Sequence, residues 1–335
     1  MSRATAYATG AAAVLVVLAI LAGSGASRLR SVPPPSPSRP AVIPSAPTAT
    51  EAPDTGPLVF VQPLSAGCAA GEGVYVVSDG GGIGRFDGEH WQLIDPTLRS
   101  LVAVACRGTE LIAVGGAGGV VTIDDQARSI RTDAVQLDDL RGISLLPDGA
   151  LAAGRRGSVV RRTAAGWFPH AAGLEEDLES IVAFDPLSAW VVGAGGVTYR
   201  LERAGWRAIP SGTAVTLRAV VGAGADAVVA VGDAGTILRS RGGVWEAPAA
   251  VPPGRGDISF RAAALIGSST WIVGDRGSVV RLDGGAETAV DLGTTCTLRA
   301  VFAHRGMVWI VGSDGTRAGV WRIAAGTVRQ WGACP

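Results

Sequence analysis

Apolar and polar positions alternate in short runs from residue 58 to residue 335, and no stretch there keeps the 3.6-residue period of an amphipathic helix. One pattern recurs seven times: two or three apolar residues, Gly-x-x-Gly, then apolar residues that often end in arginine. The first glycine column is Gly115, Gly154, Gly193, Gly232, Gly274 and Gly312, with Ser78 in the first copy. The second column is Gly81, Gly118, Gly157, Gly196, Gly235, Gly277 and Gly315. Each copy predicts a tight β-hairpin whose glycines take positive φ angles.

A further short strand precedes each hairpin and another follows it, so each repeat of about 40 residues holds four strands. This is the size of one propeller blade. The sequence therefore predicts an all-β fold, a seven-bladed β-propeller of four-stranded blades over residues 58–335. A hydrophobic N-terminal helix and a Pro-rich linker are expected to precede it.

The tryptophans support this interpretation, because all nine fall on repeat strands. Trp190, Trp271 and Trp309 lie three positions before the first glycine column. Trp91, Trp167, Trp206 and Trp245 lie 13 positions after it, and Trp331 is assigned to the same position in the last copy. We expect them to form the core between blades rather than a surface that stacks against carbohydrate.

The N-terminal 57 residues differ from the repeat. Residues 1–30 contain an uncharged stretch, Ala4–Ser27, which is long enough for either a cleaved signal peptide or a retained membrane anchor. Residues 31–57 are rich in proline and are expected to be a disordered linker. We expect an exported protein, in the periplasm or at the cell surface, that is membrane-anchored or secreted.

Composition narrows the function. The chain has 29 basic and 29 acidic residues, and this zero net charge argues against nucleic acid as a partner. It contains no lysine, which excludes Schiff-base chemistry and a Walker lysine. Its three histidines show no metal-binding spacing, and no nucleophile elbow is present. We therefore predict no catalytic residue, no metal and no cofactor.

A sialidase-like site would need a tyrosine beside a carboxylate, with arginines nearby. Only Tyr75 and Tyr199 lie in the repeat domain, on strands where core packing is expected. The one acidic cluster, residues 175–177, is interpreted as a solvated loop.

The segments VAVGDAGTILRSRGGVW (Val229–Trp245) and WIVGDRGSVVRLDGG (Trp271–Gly285) resemble the repeat of the photosystem II stability/assembly factor family. They are also similar to other bacterial propellers of the BNR or Asp-box type. The Asp-box stretch is degenerate here, although Asp87, Gly88 and Trp91 match it. The resemblance implies a non-catalytic scaffold for membrane-protein assembly, with an arginine patch that contributes to binding.

Arginines recur in two series that a closed ring would turn into circular bands. One series lies seven positions after the first glycine column: Arg85, Arg161, Arg200, Arg239, Arg281 and, across an insertion, Arg322. The other opens the innermost strands: Arg141, Arg218, Arg261 and Arg299, with Glu179 in the fourth copy. These bands either bind a partner or pair structurally with hairpin acids such as Asp79, Asp233 and Asp275.

The four cysteines suggest disulfides in an exported chain. Cys68 and Cys106 occupy near-equivalent places in adjacent copies, which favours the pairs Cys68–Cys106 and Cys296–Cys334 among three connectivities. A Cys68–Cys334 bond would instead close the ring covalently. A strand at Leu58–Gln62 that pairs with the last copy is a further means of closure.

Two functions follow from these patterns. The first is a monomeric protein-interaction scaffold at the cell envelope, with protein partners and with membrane contact through an uncleaved N-terminal segment. The second is a glycan-binding or glycosidase-like Asp-box propeller.

Overall fold

The computed structural model describes residues 63–95, 100–126, 129–134, 138–170, 173–246 and 254–335. These residues form seven four-stranded antiparallel sheets, each with its strands in chain order. The predicted seven-bladed propeller is therefore confirmed. The predicted N-terminal segment, the linker and Leu58–Gln62 lie outside the described residues.

The blades take their strands as follows. Blades 1 to 3 are β1 Leu64–Ala70, β2 Gly73–Ser78, β3 Ile83–Phe86 and β4 Trp91–Asp95; β5 Leu101–Arg107, β6 Glu110–Gly115, β7 Gly119–Asp124 and β8 Ser129–Ala134; and β9 Leu140–Leu146, β10 Gly149–Gly154, β11 Val159–Thr163 and β12 Gly166–Pro169. Blades 4 and 5 are β13 Leu178–Asp185, β14 Ser188–Gly193, β15 Thr198–Glu202 and β16 Gly205–Ala208; and β17 Leu217–Gly224, β18 Ala227–Gly232, β19 Ile237–Arg241 and β20 Val244–Trp245. Blades 6 and 7 are β21 Phe260–Ile266, β22 Ser269–Gly274, β23 Val279–Asp283 and β24 Ala286–Val290; and β25 Thr297–His304, β26 Met307–Ser313, β27 Ala318–Ala324 and β28 Thr327–Gly332. Single 3-10 turns occupy three of the hairpins, at Gly116–Gly118, Ala194–Gly196 and Asp275–Gly277.

The first strand of each blade is innermost, since these strands contact one another around the ring and β1 contacts β25. Near the start of each lies a buried apolar residue: Leu64, Leu101, Leu140, Leu178, Leu217, Phe260 and Leu298. Because side chains alternate along a strand, the residue after each of these faces the opposite way. That alternation places the inner arginine series on the axis of the ring.

Apolar side chains fill the junctions between blades. Trp190 of blade 4 is fully buried and packs with Leu217, Val228 and Leu238 of blade 5. The other tryptophans also lie in or against such clusters. The predicted inter-blade core is thus confirmed for the tryptophans.

Trp331 differs from its expected position. The strand pairing places Val328, opposite Ile323, in the position that Trp91 and Trp206 occupy in their blades. Trp331 lies three residues further along β28. An odd offset turns a side chain to the other face of the sheet, so Trp331 faces blade 1.

Because Trp331 lies on this face, it contributes to the junction between blades 7 and 1, at which the ring closes. The Trp331 ring stacks on Trp309 of blade 7, with centroids 5.4 Å apart and planes 10° apart. Phe86 of blade 1 lies 5.3 Å from Trp331 and 5.7 Å from Trp309, centroid to centroid. Blades 7 and 1 therefore meet through an aromatic cluster.

The structure joins Cys68 to Cys106 and Cys296 to Cys334, the connectivity that blade equivalence favours. Their Cα atoms lie 5.7 and 6.1 Å apart. The first bond links β1 to β5 and so ties blade 1 to blade 2. The second joins the chain end to the residue before β25, within blade 7. Neither bond crosses the closing junction.

The first glycine column has a different cause from the one expected. Gly193 has an extended backbone with φ of −168°, so positive φ does not explain it. A Cβ built there would lie 2.1 Å from the carbonyl oxygen of Asp177, just before β13. Close backbone approach is the reason for glycine in this column. The second column does meet the expectation: Gly277, for example, has φ of +67°.

Gly193→Ala is expected to lower the free energy of unfolding by about 3 kcal/mol, the upper end of the usual overpacking cost, because its obstacle is backbone. Gly224→Ala is the matched control, since its Cβ would meet nothing within 4 Å. That control should change stability by less than about 0.5 kcal/mol. Urea denaturation monitored by tryptophan fluorescence measures both, and equal effects would refute the steric explanation.

Candidate functional site

A cavity of about 430 Å³ opens on one face of the ring. It is lined by one residue from each innermost strand: Ser65, Val102, Arg141, Glu179, Arg218, Arg261 and Arg299. Because these strands encircle the axis, the cavity is the end of the central channel, which we call the channel mouth. The hairpins between second and third strands surround it and contribute Asp79, Gly116 and Arg155.

The channel mouth brings together all four arginines of the inner series, and three of them are paired with carboxylates. Arg218 Nε and Nη2 donate to the two oxygens of Asp233 at 2.5 and 2.8 Å. Arg261 holds Asp275 in the same way at 2.8 and 3.1 Å. Arg141 Nη1 donates to Glu179 Oε1 of the next blade at 2.7 Å. Structural pairing with Asp233 and Asp275, one of the two alternatives, is therefore present.

Asp79 has no arginine of the inner series in its own blade, where Ser65 takes that position, but it accepts a hydrogen bond from the Ser100 hydroxyl of the next blade. Asp233 and Asp275 also accept such bonds, from Ser259 and Thr297 respectively. Each donor lies just before the next innermost strand. The hairpin acids thus connect neighbouring blades around the channel mouth.

These contacts favour ionised carboxylates. Burial acts to raise the pKa of Asp233, but hydrogen bonds from Arg218 and Ser259 outweigh it and hold the pKa below its ordinary value. The same balance, with Arg261 as the main donor, lowers the pKa of Asp275. At neutral pH the mouth therefore carries the ion pairs Arg218–Asp233 and Arg261–Asp275.

The arginines of the outer series lie on the third strands and do not line the channel mouth. They contact the next blade or side chains of their own blade. Three members reach the next blade: Arg85 Nε lies 3.0 Å from Asp125 Oδ1, Arg200 Nη2 2.9 Å from Asp226 Oδ1, and Arg239 Nη2 3.2 Å from the Gly285 carbonyl. Arg161 and Arg281 pair within their blades, with Asp148 and Asp283. The guanidinium of Arg322 lies 5.5 Å from the Trp331 ring centroid.

Both tyrosines of the domain meet carboxylates, which the sequence interpretation missed. The Tyr75 hydroxyl donates to Asp125, and Arg85 Nε lies 3.1 Å from the same hydroxyl. Tyr199 donates to Glu176 Oε2 at 2.7 Å. Asp125 lies one blade beyond Tyr75, so no local sequence signal links them. Residues 175–177 lie in a partly exposed loop, as interpreted, and within it Asp177 also accepts a hydrogen bond, from the Arg156 backbone N–H at 3.0 Å.

The tyrosine environments oppose nucleophilic chemistry. Burial, together with the hydrogen bond to Asp125, raises the pKa of Tyr75 to about 12. Burial and the Glu176 hydrogen bond likewise raise the pKa of Tyr199 to about 12. A nucleophilic phenol needs the opposite shift. These hydroxyls remain protonated and act as donors that hold loops and blades together.

Tyr75→Phe tests this assignment through pH. A folded-state pKa above the ordinary value of 10 means that the phenol's contribution is complete below pH 10. It is then lost as pH rises through about 12. The variant should be less stable than the wild type by about 1–3 kcal/mol at pH 8. Denaturation curves from pH 8 to 11.5 should show this difference shrinking; a constant difference would contradict the assignment.

Within the residues that the structure describes, no three histidine, cysteine or acidic side chains gather where they could hold a metal ion. In the same part of the chain, no helix is long and apolar enough to cross a membrane. The predicted segment at residues 1–30 is not part of that region.

No protein-family model matches the sequence, and no curated protein matches it either. Solved structures do match. One described as YCF48 bound to D1 peptide aligns with a TM-score of 0.65 at 16% identity, over 86% of this chain and 99% of that one. The WD40 propeller domain of Doa1 gives a TM-score of 0.67 at 11% identity, over 79% and 93%. The RRP9 WD40 repeats give 0.66 at 10%, over 76% and 88%. At these identities the likeness extends to the fold, and the chain is a β-propeller similar to both the YCF48 and the WD40 structures.

Proposed function

We propose that this chain is an exported, non-catalytic β-propeller that binds a protein partner at the cell envelope through its channel mouth. The observation that carries the proposal is the mouth itself. It is a concave site on the axis, where charged side chains of both signs from several blades face one cavity. Charged groups fixed in this way give specificity and orientation to a partner that carries complementary charges.

The distribution of the arginines supports this choice of surface. Arg85, Arg200 and Arg239 are used to connect one blade to the next. Their removal would disturb the ring before it disturbed a partner. Arg141 and Glu179 also join neighbouring blades, but their partly exposed side chains line the channel mouth, where a partner can reach them.

The structural neighbours are consistent with a polypeptide as the partner. The YCF48 propeller was solved with a D1 peptide, and it aligns over 86% of this chain. The resemblance of the repeats to the photosystem II assembly factor family, and to the BNR type, adds the role of a scaffold that assists assembly. The client of such a scaffold here would be an envelope protein.

Export is supported by two features. Residues 1–30 suit a signal peptide or a membrane anchor, and residues 31–57 suit a spacer between membrane and propeller. Both cysteine pairs are bonded, and such bonds persist in oxidising compartments such as the periplasm. We place a monomeric propeller in the periplasm or at the cell surface.

Affinity capture from solubilised membranes tests the proposal. The mouth variant Arg141→Gln with Glu179→Gln removes an ion pair whole, so no charge is left without its partner. The control, Arg207→Gln with Glu202→Gln, removes a 2.8 Å pair on the perimeter. The wild type and the control should recover one dominant protein, and the mouth variant should lose it. Equal recovery by all three, or no dominant protein, would reject the proposal.

A glycan-directed function is the second candidate, because Tyr75, Arg85 and Asp125 share a cleft of about 490 Å³. The Asp-box-like residue Asp87 instead stabilises its own turn, where it accepts the N–H groups of Glu89 and His90 at 2.9 and 2.8 Å. A glycan array and a panel of glycosides decide between the two. Hits that are lost in Tyr75→Phe, Tyr199→Phe or Glu175→Gln would favour the glycan function over the scaffold.

A further inference from the structure

The hairpins of blades 5, 6 and 7 are structurally equivalent. Leu217 pairs with Gly232, Phe260 with Gly274 and Leu298 with Gly312. The residue after each of these glycines is therefore in the same column, which reads Asp233, Asp275 and Ser313. In the same way, Arg299 is the equivalent of Arg218 and Arg261.

Blade 7 breaks the pairing that the other two blades make. Asp233 and Asp275 each bind the arginine of their own blade through two hydrogen bonds. Serine has no carboxylate to offer, and among the described residues Arg299 makes no hydrogen bond and no ion pair within 4.0 Å. The Ser313 hydroxyl is buried and also has no partner in that part of the chain.

The surroundings of Arg299 favour an anion. Its side chain is open to the solvent of the channel, while protein surrounds it on the other sides; this desolvation lowers its pKa, and the charge of Arg261 lowers it further. Asp275 and Asp79 act in the opposite direction with smaller effects. Arg261 uses Nε and Nη2 for Asp275, which leaves its Nη1 for another acceptor. The two neighbouring guanidinium groups, Arg261 and Arg299, thus have only one hydrogen-bonded carboxylate between them in the described part of the chain, Asp275.

We propose that the blade 7 side of the channel mouth is an oxyanion site, in which Arg299 and Arg261 Nη1 hold one carboxylate or phosphate group. The ligand supplies the carboxylate that Asp233 and Asp275 supply in the adjacent blades. The planar fork of a guanidinium matches such groups through paired hydrogen bonds. If the anion belongs to a protein partner, this inference rests on the proposed function. The anionic group is then the part of the partner that the mouth recognises.

Titration calorimetry of the full chain with inorganic phosphate at low salt is the first test. The wild type should bind one phosphate per chain, and Arg299→Gln should bind at least about tenfold more weakly, since it loses a charge-assisted contact. Arg131→Gln, an exposed perimeter residue, is the control and should bind as the wild type does. No binding by the wild type, or equal binding by Arg299→Gln, would overturn the site.

Ser313→Asp is the second and sharper test. It restores the acid column of blades 5 and 6, so the new carboxylate should pair with Arg299, abolish phosphate binding and raise the melting temperature. Phosphate binding at wild-type affinity in a folded Ser313→Asp protein would overturn the proposal. Should this variant fail to fold, Arg299→Gln still decides the matter.

Partner capture with Arg299→Gln identifies the source of the anion. Loss of both the partner and phosphate assigns the anion to the partner polypeptide, and peptides with free or amidated C-termini then locate it. Loss of phosphate alone assigns a small free oxyanion and leaves the scaffold function intact. Phosphate binding by a wild-type chain that captures no partner would retain the site and reject the proposed function.

Discussion

Trp331→Ala is expected to lower the free energy of unfolding by about 4 kcal/mol, within the range for a large buried aromatic residue. Trp331 is 2% exposed; it stacks on Trp309 within its own blade and packs at a tilted angle against Phe86 across the closing junction. The substitution leaves a cavity at the one junction where chain continuity does not hold neighbouring blades together. Urea denaturation measures the loss.

Trp206→Ala is the matched control for this prediction. Trp206 lies on the outermost strand of blade 4 and is only partly buried, against the cluster between blades 3 and 4. Its loss should cost about half as much, because less apolar area returns to water. A Trp331→Ala protein no less stable than Trp206→Ala would mean that the aromatic cluster does not close the ring.

Removal of the Cys296–Cys334 bond by the double serine variant should cost about 4 kcal/mol, as expected when a cross-link over 38 residues no longer restricts the unfolded chain. The bond also fixes the chain end, where Gln330 Nε2 donates to the Cys334 carbonyl at 2.6 Å and the Thr295 N–H to that of Pro335 at 3.3 Å. Denaturation with and without a thiol reductant measures the effect.

The double serine variant of Cys68 and Cys106 is the comparison, because it removes a cross-link of the same sequence separation. Its cost should be similar, but its effect should appear at blades 1 and 2. Reductant should therefore destabilise the wild type by the loss of both bonds, and each double variant by about half as much, through the one bond that it retains. Identical denaturation curves for the wild type with and without reductant would contradict both assignments.

The architecture could be predicted because each structural position of a repeat protein occurs several times in its sequence. Seven hairpins and nine tryptophans on repeat strands leave few alternatives to a propeller. What a single copy changes is harder to predict. Once the insertion before Gly319 is counted, Val328 and not Trp331 occupies the repeat position, and the pairing of Val320 with Trp331 shows which face Trp331 takes.

The contacts between blades could not be predicted from the repeat. Arg85 pairs with Asp125, which lies after the third strand of the next blade. Arg200 pairs with Asp226, which lies between the first and second strands of the next blade. Their partners share no column, so sequence spacing does not reveal them. The first glycine column was predicted correctly as part of a hairpin but for the wrong reason. At Gly193 a side chain would collide with a backbone carbonyl of the preceding segment.

Charge at the channel mouth illustrates the same limit. The sequence gives four arginines in one series and leaves open whether they pair or bind. The geometry shows three of them paired, while Arg299 belongs to the blade whose hairpin carries Ser313 at the position of the missing acid. A column of hairpin residues identifies the exception only once the strand register is known.

Hydrogen–deuterium exchange of the full chain, with and without the captured partner, tests the central claim most directly. If the partner binds at the channel mouth, protection should appear in the hairpins that carry Asp79, Asp233 and Asp275 and at the starts of the innermost strands. Protection confined to the outermost strands, with the mouth unchanged, would contradict the account.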